Sequence, residues 1–232
     1  MRAVILAGGK GTRLRPYTTT IPKPLVPVGE RPILEIVIDQ LKRAGVDRIT
    51  ITVNHMAEFV MAFFGHGERL GVPIDYTVEE QPLGTVGPVK LVQELPEHFL
   101  VMNGDLLTDV DYRALFDAHV RSGARLTVAT HRRDAQIDFG VIEVDEAGRR
   151  AVGFREKPTY HFTVSTGVYV YSRSLLADVP DGPYSFDRLM LDMLARGEEI
   201  HTVEHKGYWL DIGRPEDYER ANAELDRIGV KK

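Results

Sequence analysis

Three glycines in four residues, Gly8-Gly9-Lys10-Gly11, follow the short apolar run Ala3-Val4-Ile5-Leu6. Without a Cβ, such a segment lets backbone N–H groups come close to an anion. Arg13 adds a planar fork for phosphate oxygens, and Lys23, within Pro22-Lys23-Pro24-Leu25-Val26-Pro27, adds a mobile point charge. Two cations behind a glycine turn suit a polyphosphate. The spacing is not that of a dinucleotide-binding fingerprint, because Leu14 stands where G-x-G-x-x-G needs its third glycine. Nor is it a P-loop, since Thr12 follows Gly11 with no lysine between them. Taken alone, the segment reads equally well as a tight strand-to-helix turn with solvated cations.

Asp105 ends a second apolar strand, Phe99-Leu100-Val101-Met102, and Asp211 follows Trp209-Leu210 about a hundred residues later. Hard carboxylate oxygens suit Mg²⁺, which takes one or two carboxylates and completes its shell with phosphates and water. Each aspartate alone is also an ordinary turn or cap former. Other polar residues carry less. His201 and His205 lie four apart, a metal spacing on a helix, but their surroundings read as strand and no third ligand is near. Arg132-Arg133 reads as a solvated loop pair rather than a phosphate clamp, and Trp209 and Phe186 read as core aromatics. No Ser-His-Asp order supports acyl transfer.

The segment L-A-G-G-x-G-T-R-L-x-P, with P-K-P-L-V-P-V behind it, resembles the signature of the sugar-1-phosphate nucleotidylyltransferases. The resemblance continues in order through Glu80-Gln81-Pro82-Leu83-Gly84-Thr85, Asn103-Gly104-Asp105, Phe139-Gly140-Val141, Glu156-Lys157-Pro158, Ser165-Thr166-Gly167 and Trp209-Leu210-Asp211-Ile212-Gly213. It covers nearly the whole chain. It implies the reaction of a nucleoside triphosphate with a sugar 1-phosphate to give an NDP-sugar and pyrophosphate.

By that resemblance Arg13 lies along the triphosphate and Lys23 contacts the α-phosphate or the leaving pyrophosphate. Leu6, Ala7, Gly8, Gly9, Gly11, Thr12, Gln81, Pro82, Gly84 and Thr85 would bind the nucleotide, with the base read near Gly8, Gln81 and Gly84. Asp105 and Asp211 would bracket Mg²⁺. Lys157 would grip the phosphate of the sugar 1-phosphate and Glu156 its hydroxyls. Asn103, Gly104, Gly140, Ser165, Thr166 and Gly167 would complete the sugar side. Ser165 stands where many relatives have Asn, a shorter reach with different hydrogen-bonding capacity that bears on the sugar. The Pro82-Leu83-Gly84-Thr85-Val86-Gly87-Pro88 stretch is similar to the form common in guanylyltransferases of mannose and manno-configured heptose phosphates. GTP and a manno-configured sugar are therefore expected, with UTP or dTTP as the alternative. A non-catalytic NDP-sugar sensor is a further alternative, and the presence of every charged motif residue argues against it. The missing third glycine argues against a nicotinamide oxidoreductase.

These residues need a scaffold that gathers them. Ala3–Leu6, Arg48–Val53, Ile74–Val78 and Phe99–Met102 read as strands, alternating with helices over Pro32–Ala44, His55–Phe64 and Val86–Leu95. That alternation predicts right-handed crossovers and a doubly wound, mostly parallel, Rossmann-like open sheet. Later strands at Leu126–Thr130, Gly140–Val144, Val152–Arg155 and Val164–Tyr171, with a turn at 145–148, predict an added antiparallel sugar-binding lobe. Helices are predicted at Phe186–Arg196 and Pro215–Arg227. Ligands on such sheets lie beyond the carboxyl ends of the strands, where the glycine loop and Asp105 both fall. The expected organisation is one domain over 1–232, with nucleotide binding over about 1–110 and sugar-phosphate binding over about 111–232. No C-terminal β-helix repeat is seen.

Composition fits this reading. Among 232 residues, 29 Lys+Arg face 34 Asp+Glu, a net charge of −5, which disfavours nonspecific nucleic-acid binding. Cysteine is absent, so disulfides and thiolate chemistry are excluded. No apolar run approaches a membrane span, and the N-terminal run is too short for a signal peptide, which makes the cytoplasm the expected compartment. By resemblance a homodimer is expected.

Overall fold

The computed structural model describes residues 1–228, with side chains through Asp226. Among the described residues, thirteen strands and six α-helices follow one another. The first part comprises β1 (Arg2–Leu6), β2 (Pro27–Val28), β3 (Arg31–Pro32), α1 (Ile33–Arg43), β4 (Arg48–Val53), α2 (Ala57–Phe64), β5 (Ile74–Val78), α3 (Gly87–Lys90) and β6 (His98–Asn103). Then come β7 (Leu106–Thr108), α4 (Tyr112–Ser122), β8 (Leu126–Gln136), β9 (Val141–Val144), β10 (Ala151–Arg155) and β11 (Thr159–Ser172). The chain finishes with α5 (Phe186–Ala195), β12 (His201–His205), β13 (Trp209–Asp211) and α6 (Pro215–Ala223).

Seven strands form the central sheet in the order β12-β8-β11-β6-β1-β4-β5. All run the same way except β11, which is antiparallel to both β6 and β8. The expected mostly parallel α/β sheet is therefore present. Ala3, Val4 and Ile5 of β1 are fully buried, because both faces of the sheet are covered. One face packs under α1, α2 and α4, and the other under α5 and the segment 86–95. A third cluster joins Leu14, Val28, Ile33, Leu210 and Ala221, seating the end of the turn that follows the glycine loop against α6.

Beyond the sheet, β8 and β11 continue together as a two-stranded ribbon, from Arg132 opposite Thr163 to Gln136 opposite Thr159. The β9–β10 hairpin extends it, and its turn closes through Gly148 N–H donating to the Asp145 carbonyl at 2.8 Å. This is the expected antiparallel lobe.

The sequence-based boundaries need four corrections. The helix expected over Val86–Leu95 holds only Gly87–Lys90. Glu94 adopts φ +54, and the carbonyls of Gln93 and Glu94 turn to accept from the Arg2 guanidinium at 2.9 and 2.8 Å. The helix Tyr112–Ser122 was not anticipated, because its buried stripe is only Tyr112, Leu115 and His119; Asp111 caps it by accepting from Ala114 N–H at 2.9 Å. The last helix stops at Ala223, and a tighter turn over Leu225–Ile228 follows, burying Leu225. Finally, β8 and β11 outrun their predicted ends at Thr130 and Val164, because the added residues are exposed and show no alternation.

Candidate active site

The carboxyl ends of β1, β4 and β6 meet at one edge of the sheet, and the backbone is tied there from both sides. Ala7 N–H donates to the Thr52 carbonyl, and Gly104 N–H donates to that of Leu6, each at 2.9 Å. The glycine loop leaves this knot. A Cβ on Gly8 would stand 2.5 Å from Glu79 Oε1 and 3.3 Å from Asn54 Cβ, so any side chain there would have to displace that carboxylate. Gly9 has no atom within 4 Å of its would-be Cβ and faces open space. Gly11 takes φ +61, and the turn Thr12–Leu14 closes through Leu14 N–H to the Gly11 carbonyl at 3.0 Å.

A cleft of about 380 Å³ opens here. Its lining includes Leu6, Gly8, Gly9, Arg13, Pro82, Gly84, Thr85, Asn103 and Asp105, together with Thr52 and Glu79. Ala7, Lys23 and Gly104 line a small recess that shares Leu6, Gly9 and Asp105 with it. Most of the residues expected on the nucleotide side are thus brought together. Gln81 is exposed and is not among the lining residues. Glu79, two residues earlier, was missed. It is 6% exposed, accepts from Leu83 N–H at 2.9 Å, and burial holds its carboxyl above the ordinary range. The signal for it was available in the acidic residue closing the strand Ile74–Val78.

Asp105 and Asp211 become backbone neighbours through the pairing of β7 with β13, in which Asp211 stands opposite Leu106. Ile212 N–H donates to the Asp105 carbonyl at 3.1 Å. Lys23 pairs with Asp105 Oδ2, while Asp105 Oδ1 is buried and has no hydrogen-bond partner. Burial and the Asp105 charge push the Asp211 carboxyl up, and Lys23 and Arg13 oppose this. A buried orphaned oxygen beside a second, disfavoured carboxylate is a donor set that a divalent cation would satisfy. Among the described residues no group of three or more His, Cys, Asp or Glu gathers, so phosphates and water would have to fill most of a cation's shell.

The sugar-side motifs divide. Thr166 and Gly167 are buried on β11 beside the carboxylate pair. Thr166 Oγ1 donates to the Ala129 carbonyl, its own carbonyl accepts from Trp209 Nε1, both at 2.8 Å, and Gly167 at φ +79 abuts Asn103. Ser165 Oγ donates to the Tyr169 hydroxyl at 3.2 Å. Gly140, Glu156 and Lys157 instead ride on the exposed ribbon. A Cβ on Gly140 would meet the Phe154 ring at 2.6 Å and Glu156 Oε2 at 3.2 Å, so these two expected sugar residues are adjacent. Lys157 holds φ +42, a conformation that lysine adopts only when its surroundings impose it.

The nucleotidyl transferase family matches residues 2–227, and the chain belongs to that family. The mannose-1-phosphate guanyltransferase of Candida albicans is 35% identical over 226 residues, covering 94% of this chain and 62% of that protein. The mannose-1-phosphate guanylyltransferase catalytic subunit beta of Danio rerio is 33% identical with the same coverage. The chain thus spans about 62% of the length of these curated relatives. HddC from Yersinia pseudotuberculosis superposes with a TM-score of 0.76 at 28% identity, covering 97% of this chain and 99% of that one. A putative glucose-1-phosphate thymidylyltransferase from Bacillus anthracis gives 0.78 at 27% identity, covering 100% and 98%. Members of the family generally use a divalent metal. Among the described residues no helix is long and apolar enough to cross a membrane.

Proposed function

We propose that this chain transfers a guanylyl group from GTP to a manno-configured sugar 1-phosphate, releasing pyrophosphate. An oxygen of the sugar phosphate attacks the α-phosphorus, a new P–O bond forms, and the bond to the bridging oxygen of the β-phosphate breaks. Little covalent chemistry falls to the protein, so positioning and positive charge dominate. Arg13 lies along the triphosphate and stabilises the departing pyrophosphate. Lys23 neutralises charge at the α-phosphate. Backbone around Gly8, Gly9, Gly11 and Thr12 approaches the phosphates, and Pro82, Gly84 and Thr85 flank the base. Asp105 and Asp211 would hold Mg²⁺, which when bound supplies charge neutralisation at the reacting phosphates. Gly140, Glu156 and Lys157 hold the sugar phosphate from the ribbon, with Asn103, Gly104, Ser165, Thr166 and Gly167 as the pocket floor.

The observation that carries the choice of base is Glu79. A carboxylate accepts only, and guanine alone presents two adjacent donor groups, N1–H and the 2-amino group, along one edge. The Glu79 carboxylate, buried in the cleft wall against Gly8, matches that edge. Uracil and thymine offer a single ring N–H there. The curated guanylyltransferase relatives support the same reading. We place the reaction in the cytoplasm, with the chain as a homodimer. The test is pyrophosphate release from GTP, UTP, dTTP, CTP and ATP against mannose, glucose and manno-heptose 1-phosphates, with Mg²⁺ or EDTA. Mg²⁺-dependent release with GTP and a manno-configured sugar is expected. Preference for UTP or dTTP overturns the base, and tight NDP-sugar binding without turnover overturns the reaction. Replacing Glu79→Gln is expected to lower kcat/KM for GTP roughly 10- to 100-fold.

A further inference from the structure

A second and larger cleft, about 590 Å³, lies between the outer part of β8 and α6, with Trp209, Leu210 and Asp211 along it. It shares Arg13 with the nucleotide cleft and opens beside Asp211, so the two clefts flank the carboxylate pair. Its walls hold five guanidinium groups, from Arg13, Arg132, Arg133, Arg214 and Arg220, against the carboxylates of Asp134, Asp211 and Asp217. Those carboxylates are partly engaged already. Asp134 takes the His161 ring at 2.6 Å, and Asp217 accepts from the N–H groups of Gly213 and Arg214 at 3.2 and 2.9 Å. Arg220 pairs with Glu224, and Arg132 comes within 3.8 Å of Asp134. Arg133 and Arg214 make no ion pair among the described residues. The sequence presents Arg132-Arg133 as a solvated pair; the fold instead sets both in the wall of a concave, net-positive site.

We propose that this cleft is an oxyanion subsite, taking a phosphate or carboxylate group other than the two phosphates that react, the α-phosphate of the nucleotide and the 1-phosphate of the sugar. The reading rests on the proposed nucleotidyl transfer. Guanidinium forks recognise such groups bidentately, and several converging forks set a geometry that scattered surface cations do not. Two sources offer this chemistry: a second acidic group on the sugar 1-phosphate, or the departing pyrophosphate. The Trp209 ring, tilted 42° to that of His131 with centroids 5.6 Å apart, adds a flat wall that suits a pyranose and favours the sugar.

The test is titration calorimetry on the intact chain, with mannose 1-phosphate, mannose 1,6-bisphosphate and inorganic pyrophosphate as probes. The double charge reversal Arg132→Glu with Arg133→Glu is compared with wild type, and Arg132→Gln with Arg133→Gln serves as the milder variant. In wild type the bisphosphate is expected to bind roughly tenfold tighter than the monophosphate, an advantage that shrinks with added salt. The reversal removes that advantage and leaves mannose 1-phosphate unchanged. Loss of pyrophosphate affinity in the variants, with no bisphosphate advantage in wild type, keeps the subsite and assigns it to the departing group. Identical affinities for all three probes in wild type and both variants overturn the proposal. Binding is read without turnover, so a chain that releases no pyrophosphate yet shows the arginine-dependent affinities would sink the transfer reading alone.

Discussion

Where β1, β4 and β6 end, the chain is held from both sides, and the strands behind the glycine loop are buried to zero exposure at Ala3, Val4, Ile5, Ile51 and Met102. Where β8 and β11 leave the sheet, the reverse holds. Phe139 is 77% exposed, Phe154 64% and Phe162 53%, on a ribbon with no core beneath it. A two-stranded ribbon alone is marginal in water, whereas packed strands fix their ends to fractions of an ångström. The phosphate-side residues therefore inherit their positions from the core. The residues expected to grip the sugar inherit theirs from a lever anchored only at its base. In the proposed function, the reacting phosphates fall to the core-anchored part and the grip on the sugar to the exposed one.

The largest effect should come from the core itself. Ile5→Ala is expected to cost about 2–5 kcal/mol in urea unfolding, against about 0.5 kcal/mol or less for Phe162→Ala. Equal losses would erase the contrast. Next, Lys23→Ala is expected to lower kcat about 100- to 1000-fold, as removal of a preorganised contact to developing charge does. A milder loss would mean that the glycine loop is less fixed than its hydrogen bonds imply.

A comparable test concerns the far end of the sheet. His119 is fully buried, between Thr127 Oγ1 at 2.8 Å and the Ser172 hydroxyl and His98 ring at 3.1 Å. Burial first, then His98 and His201, lower its pKa from 6.5 to about 4. The unfolded chain then binds the proton that the fold refuses. Stability should fall as pH drops from about 6.5 toward 4, by at most roughly 3 kcal/mol. His119→Gln should flatten that slope in thermal unfolding across the range. The smallest effect is expected on the ribbon: Lys157→Ala should raise KM for the sugar phosphate roughly tenfold with kcat little changed. A fall in kcat of the Lys23 size would place Lys157 among the rigidly held groups.

The two regions also differ in how far the sequence exposes them. The strand-glycine-cation order around Gly8 and Arg13 is local, and buried parallel strands write themselves as continuous apolar runs, so that half is legible. The outer halves of β8 and β11 are strands only because each supplies the other's hydrogen bonds, and no alternation marks Arg132-Arg133-Asp134 as paired. Helix Tyr112–Ser122 hides for a similar reason, since His119 fills a position that an apolar residue would have signalled. Glu79 was missed because its place in the cleft wall depends on Gly8, seventy-one positions away in the sequence.

One contact links the halves. The indole N–H of Trp209 donates to the carbonyl of Thr166, so the floor of the proposed sugar pocket and the strand carrying Asp211 are fastened together. A shift of the Thr166 backbone would be felt by the strand that carries Asp211. Diversification in sugar preference would then be channelled outward into the ribbon and its loops, where insertion and substitution are tolerated.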